Sequence, residues 1–337
     1  METLEAIEGF AVETVEGLIF TVKGLVHPPR RLIAYLRFMP DPGGDRKRGS
    51  DSYRRVYRSE EQRDILRRRF PAYTGFDPVF GFEVQAVPGQ YAQKIYDPCQ
   101  RLSEIIEKGV KDPLEQNTLA FANLLQEAAG VSMNSLGISG SVLVGLHRPG
   151  SDVDMVVYGD EESRAAHRAL GRLLDSGRGP VRRLGGDDLA ALHASHRTDT
   201  PLSFSDFVRL QSRKPNEGYF AQTPYFIRFI KGKREGEHRY GDTVYEPLGR
   251  ATIRFRVTDD ADSIFTPCRY AVEDVLFLDG PAEADLREVV SFRGRFSDQA
   301  RAGEQATARG SLERVVPREG KVHHRLAVGG EAGDYLY

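Results

Sequence analysis

The 337-residue sequence contains no tryptophan, only two cysteines and four methionines. Cys99 and Cys268 stand far apart and lack metal-type spacing, so neither a disulfide framework nor a zinc site is expected. No apolar run approaches the length of a membrane span, and the N-terminus lacks the apolar core of a signal peptide. A cytoplasmic protein without a membrane partner is therefore the expectation. An excess of one charge is missing too, since 47 Lys and Arg stand against 49 Asp and Glu. Global charge thus argues neither for nor against nucleic acid, and only a local patch can do so. No internal repeat is apparent.

The length calls for two or three domains, and 40% hydrophobic residues suffice to build their cores. Short β-branched and aromatic runs separated by Gly and Pro fill residues 10–39 and predict a strand-rich start. Residues 41–52 carry Asp-Pro-Gly-Gly-Asp and read as a mobile surface loop. Between Arg46 and Arg69 ten Lys and Arg face four acids. This is either a landing surface for polyphosphate or nucleic acid, with Tyr53 and Tyr57 to stack, or a solvated helix at Glu60–Phe70 paired to its own acids. Residues 101–109 and 114–129 read as helices. Asp160, Glu161 and Glu162 open another, whose buried stripe is Ala166, Leu170, Leu173 and Leu174. Helices are expected at Asp187–His196 and Ser205–Gln211, and a strand at Thr223–Lys231. From about residue 244 short strands dominate, among them Val244–Tyr245, Ala251–Val257, Cys268–Val272, Val275–Leu278, Val289–Arg295 and His323–Val328, with a flexible insertion at 297–310. The expected domains are residues 1–100 (β-rich with a basic segment), 101–243 (an α/β core) and 244–337 (a small β-barrel or sandwich).

The densest chemistry lies at 137–159. A small-residue turn, Ser139-Gly140-Ser141, precedes Asp152-Val153-Asp154, which opens an apolar strand. Strand alternation sends Asp152 and Asp154 to one face, where two carboxylates repel unless a cation lies between them. Oxygen-only ligands suit a hard metal such as magnesium, and a Gly-Ser turn brings backbone N–H groups near an anion. An Asx-type turn leading into a strand is the plainer reading of Ser-Asp-Val-Asp. His193 with His196, and His323 with His324, lack the further ligands that zinc requires.

Gly140-Ser141, ten intervening residues and Asp152-Val153-Asp154-Met155, preceded by a helix and strand, resemble the signature of the DNA polymerase beta nucleotidyltransferase superfamily over roughly 114–177. The whole chain is also similar to uncharacterised archaeal proteins predicted to be nucleotidyltransferases. The resemblance implies an α+β fold with a polymerase-beta-like nucleotidyltransferase core. It implies that Gly140 and Ser141, helped by Arg148, hold the triphosphate of an NTP, with ATP the default substrate. Asp152 and Asp154 would bind two Mg²⁺ (or Mn²⁺) ions, and a nucleoside monophosphate would pass to an acceptor hydroxyl with release of pyrophosphate. RNA or another nucleic acid is a candidate acceptor, beside protein side chains and small molecules. Members also carry a third carboxylate on a later strand, but Thr223–Lys231 offers Arg228 and Lys231 instead. The nearest upstream acids are Asp187, Asp188, Asp206 and Glu217, of which Asp206 is the choice for a catalytic base. The alternative is a nucleotide- or RNA-binding protein on a degenerate transferase fold.

Overall fold

The computed structural model describes residues 5–196, 199–232, 239–283 and 285–337. The chain is a mixture of α and β with several sheets. It runs through β1 (Ala11–Thr14), β2 (Ile19–Val22), β3 (Arg31–Pro40), β4 (Arg46–Arg48), β5 (Asp51–Arg55), α1 (Ser59–Arg69), β6 (Thr74–Asp77), β7 (Phe82–Pro88) and β8 (Ala92–Tyr96). Next come α2 (Pro98–Lys108), α3 (Pro113–Ala129), β9 (Leu136–Ile138), the single turn α4 (Gly140–Leu143), β10 (Val153–Tyr158) and α5 (Asp160–Ser176). Then follow β11 (Val181–Arg182), α6 (Gly186–His196), α7 (Phe204–Gln211), β12 (Glu217–Phe220) and β13 (Thr223–Ile230). The chain closes with β14 (Thr243–Asp259), β15 (Cys268–Asp279), β16 (Leu286–Ser291), β17 (Gln305–Pro317), β18 (His323–Ala327) and β19 (Tyr335–Leu336).

Two compact units result, one of Met1–Asp77, Phe82–Leu170 and Tyr219–Tyr240, the other of Pro78–Gly81, Gly171–Gly218 and Gly241–Tyr337. This division differs from the three segments expected at 1–100, 101–243 and 244–337. In the first unit the N-terminal strands and the β9–α4–β10 segment share one core. Ala11, Ile19, Phe38 and Tyr53 pack with Leu143, Val144 and Leu146. The Ser139 hydroxyl donates to the Gly9 carbonyl (3.0 Å), and the Tyr158 hydroxyl to that of Glu8 (2.9 Å). A three-residue strand such as β9 cannot bury its own apolar surface, so it borrows that of its neighbours.

The first unit holds an antiparallel sheet in the order β4-β5-β3-β2-β1-β8, with β7 on β3 and β6 on β7. A second sheet runs β12-β13-β10-β9, with β10 parallel to β13 and antiparallel to β9. Helices α2 and α3 start where the local chemistry dictates. Asp97 and Asp112 each accept two amide hydrogen bonds from the first turn, and Pro98 and Pro113 occupy positions with no amide to satisfy. Gly130, in the left-handed region at φ 68°, ends α3. On α5, Ala166, Leu170 and Leu174 are buried, whereas Leu173 is half-buried.

In the second unit β14-β15-β16-β18-β17 form a ladder that closes through β14 and β17, with β19 added on β17. Ile253, Phe255 and Val257 of β14 point into the core while Arg254 and Arg256 stay exposed, as the alternation predicts.

Four local expectations need correction. Residues 41–52 are a β4–β5 hairpin and not a mobile loop: buried Arg46 donates to the Leu146 carbonyl (3.1 Å) and Ser151 Oγ (3.2 Å). The paired runs 244–257 and 268–278 are each one long strand, because β17 carries the ladder across the expected break in the first and β14 across that in the second. The strand expected at Val289–Arg295 ends at Ser291 and is followed by a short 3₁₀ turn at Gly294–Phe296. Residues 297–310 are no flexible insertion, since Ser297, Asp298, Gln299 and Ala300 are buried and β17 begins at Gln305. The Gln299 amide donates to the Tyr270 hydroxyl (2.9 Å), so the polar composition is satisfied internally.

Candidate functional site

The site is built where β9 turns through α4 and the chain returns as β10, all within the first unit. The Ser139 amide donates to the Asp154 carbonyl (2.8 Å), closing the turn on the strand. Gly140 has φ 62° and lies so near Asp154 that a Cβ there would fall 1.9 Å from Oδ2. Only glycine satisfies both the left-handed backbone and that approach. The Ser141 hydroxyl, next in the chain, makes no side-chain hydrogen bond among the described residues.

The return connection is pinned by Ser151. Its Oγ accepts from Arg46 and from the Arg148 amide (3.0 Å), while its own amide donates to the Arg148 carbonyl (2.9 Å). The connection then delivers Asp152 and Asp154. Asp154 is 7% exposed, and its carboxyl is pushed above the usual aspartate range by burial and by the neighbouring Asp152 charge. Arg228, Arg37 and Arg55 oppose that rise. Among the described residues Asp152 forms no hydrogen bond or ion pair.

The expectation about the third position bears directly on the chemistry. In the β10–β13 register Asp154 lies opposite Phe226, and Val156 opposite Arg228. Alternation places Arg228 on the face that carries Asp154, and its guanidinium stands 3.5 Å from Asp154 Oδ1. Lys231 lies 3.8 Å from Asp160. Among the described residues no group of three or more acids, histidines or cysteines is placed to hold a metal. Asp206 belongs to the second unit and opens α7: its amide donates to the Ser203 hydroxyl (3.1 Å), which donates in turn to Asp206 Oδ2 (2.6 Å). Asp187, Asp188 and Glu217 also belong to that unit.

Arg148 is half exposed and donates to Asp45 (2.6 Å), so its guanidinium is engaged outside the carboxylate pair. Two other cations act on Asp154 instead: Arg37, which was not expected, and Arg55, which belongs to the basic segment between Arg46 and Arg69. Arg37 from β3 and Arg55 from β5 line a small open cleft with Gly9, Thr21, Gly140 and Ser141. Burial and the neighbouring Arg55 push the Arg37 guanidinium down to about 10. An arginine inside the otherwise apolar run Leu32–Met39 is the signal that could have marked it. Beneath the site, buried Glu8 accepts from Lys23 (2.7 Å) and from the Gly24 amide (2.9 Å), which makes a neutral pair.

The donors suit one hard cation shared by two carboxylates, one of them desolvated and with oxygens not consumed by hydrogen bonds. They do not extend to a second fully held ion, because the acid that would complete it is absent among the described residues.

Over 326 residues, 94% of each chain, the sequence is 30% identical to an uncharacterized protein of Methanocaldococcus jannaschii. The chain belongs to the same family as that archaeal protein. No family model matches the sequence, and no solved structure matches it significantly. Among the described residues no helix is long and apolar enough to cross a membrane.

Proposed function

We propose that the first unit is a polymerase-beta-like nucleotidyltransferase core that binds an NTP, with ATP the first substrate to try, and transfers its nucleoside monophosphate to an acceptor hydroxyl. The observation that carries this reading is the close approach of the Gly140 backbone to the buried Asp154 carboxylate, beside an Asp152 that has no partner among the described residues. Asp152 and Asp154 would hold Mg²⁺ or Mn²⁺, which when bound supplies charge neutralisation for the phosphates. Gly140 lets the backbone come close to the carboxylate, so phosphates and carboxylates can share one site without a side chain between them. The Ser141 hydroxyl remains available to orient a phosphate oxygen. Arg228 offsets charge on Asp154 and would do the same for an incoming phosphate. Among the described residues no third carboxylate stands with the pair to accept the acceptor's proton, so transfer would be slow unless the acceptor provides its own base.

The test is Mg²⁺-dependent transfer from labelled NTPs to a panel of acceptors. Asp152→Asn and Asp154→Asn should each lower product formation at least a hundredfold while the fold is retained. Product that persists in both variants, or that forms without any divalent ion, overturns the reading.

One observation favours a second reading, nucleotide or RNA binding without transfer. Arg228 stands beside Asp154 where an acid would serve the chemistry, and an arginine there stabilises bound phosphate without accepting a proton. Nucleotide binding without product from any acceptor would decide for it.

A further inference from the structure

Arg37 and Arg55 come from neighbouring strands of the N-terminal sheet, outside the motif that defines the site. Their guanidinium carbons lie 4.8 and 4.2 Å from the centroid of one ring, that of Tyr57, which is largely exposed. Among the described residues neither arginine side chain makes an ion pair or a hydrogen bond. Arg55 Nε is buried without any partner. Two like charges held against one ring repel, and burying them costs more unless an anion joins them. Asp154 fills that role only in part: its charge favours the charged Arg37, but among the described residues it is in ion-pair range of Arg228 and of neither other arginine.

The local charge points the same way. Arg37, Arg55 and Arg228 bring three positive charges against the two of Asp152 and Asp154, and Lys23 is neutralised by Glu8. A divalent cation would widen the excess. Only an anionic ligand balances the cleft, and the planar donor forks of arginine match phosphate oxygens. Ser141 and Gly140 line the same cleft, which places that ligand next to the proposed nucleotide site.

We propose that Arg37 and Arg55 form a phosphate subsite in this cleft, stacked against Tyr57. Its occupant is a phosphate group, either the terminal phosphate of the nucleotide or one carried by the acceptor. The placement beside a nucleotide rests on the reading above, whereas phosphate binding by the two arginines does not.

The experiment titrates inorganic phosphate into the full-length protein by calorimetry, in excess chelator and at low ionic strength. Wild type should bind. Arg37→Gln and Arg55→Gln should each weaken binding at least fivefold, Arg55→Lys less, and Asp154→Asn should not weaken it. Circular dichroism and thermal melting of each variant check the fold. Absence of binding in wild type, or equal binding in the folded glutamine variants, overturns the proposal. Repeating the titration with saturating Mg²⁺–ATP separates the two sources. Displacement of phosphate assigns the subsite to the nucleotide, and undiminished phosphate binding assigns it to the acceptor. Because the first titration contains no metal or nucleotide, it reads out even if no transfer activity exists.

Discussion

At the scale of single residues the site depends on close approach. Gly140→Ala would place a methyl group against the Asp154 carboxylate and force a left-handed backbone on alanine. A loss of about 1–2 kcal/mol in stability is expected from the backbone alone, together with at least tenfold weaker Mg²⁺-nucleotide binding. Urea denaturation and calorimetry check the two parts. Asp154 also sets a pH dependence. Its carboxyl is pushed up by burial and by Asp152, and it must lose its proton to hold a cation. Cation affinity should therefore rise with pH through and above the ordinary aspartate range. Removing the Asp152 charge in Asp152→Asn should move that rise to lower pH while weakening binding overall; titration of Mn²⁺ at several pH values measures both. Gly140, Ser141, Asp152 and Asp154 were legible in the sequence because a turn and one strand bring them together locally. Arg55 was legible only as one member of the basic segment and Arg37 not at all, because both reach the cleft through strands that precede the motif by more than eighty residues in sequence.

At the scale of elements, apolar spacing made the helices readable, while their caps went unread and long-range pairing hid the hairpin. Asp112 illustrates the first point: it starts α3 by accepting from the Leu114 amide (2.9 Å) and the Glu115 amide (3.1 Å), and it meets His147 Nε2 at 2.8 Å. Burial raises its pKa, but the bond from His147 and the two amides outweigh that, so the folded value lies below the unfolded one. Its contribution to stability is therefore complete above the unfolded pKa and is lost as pH falls through the folded one. Asp112→Ala should cost about 1–2 kcal/mol near neutral pH, and the deficit should shrink in acid; chemical denaturation at pH 7 and pH 3 tests this. The β4–β5 hairpin illustrates the second point. Gly and Asp residues over 41–52 look like loop, yet Arg46 is satisfied by Leu146 and Ser151, and Arg48 by Glu13, Tyr53 and Tyr96. Apart from Tyr53, those partners lie far from the hairpin in the chain.

At the scale of the whole molecule, each compact unit has a core of its own. In the second, Phe255 is 1% exposed among Ile253, Tyr270, Phe296 and Leu312. Phe255→Ala should destabilise that unit by about 3–5 kcal/mol, measured as a shift in its urea transition. Tyr245 in the same unit stacks under the Arg325 guanidinium (3.6 Å), which is itself paired to buried Glu313 (2.7 Å). The β-rich character of this region was evident from alternation. The closure of its ladder was not, because pairing β14 with β17 joins residues from Arg256 with Gln305 to Thr243 with Pro317, far apart in the chain.

The sequence by itself determined where the helices lie, the inward and outward faces of the strands and the pairing of Gly140-Ser141 with Asp152 and Asp154. These depend on short-range rules of apolar spacing, alternation and turn conformation. Only the tertiary structure decided that Arg228 stands beside Asp154, that Arg148 turns to Asp45, that Asp206 sits in the first turn of a helix of the other unit, and that Arg37 and Arg55 enter the cleft. Each of those outcomes rests on contacts between segments distant in the chain. Burial and charge compensation there depend on what the whole fold brings near, and not on the neighbours each residue has in sequence.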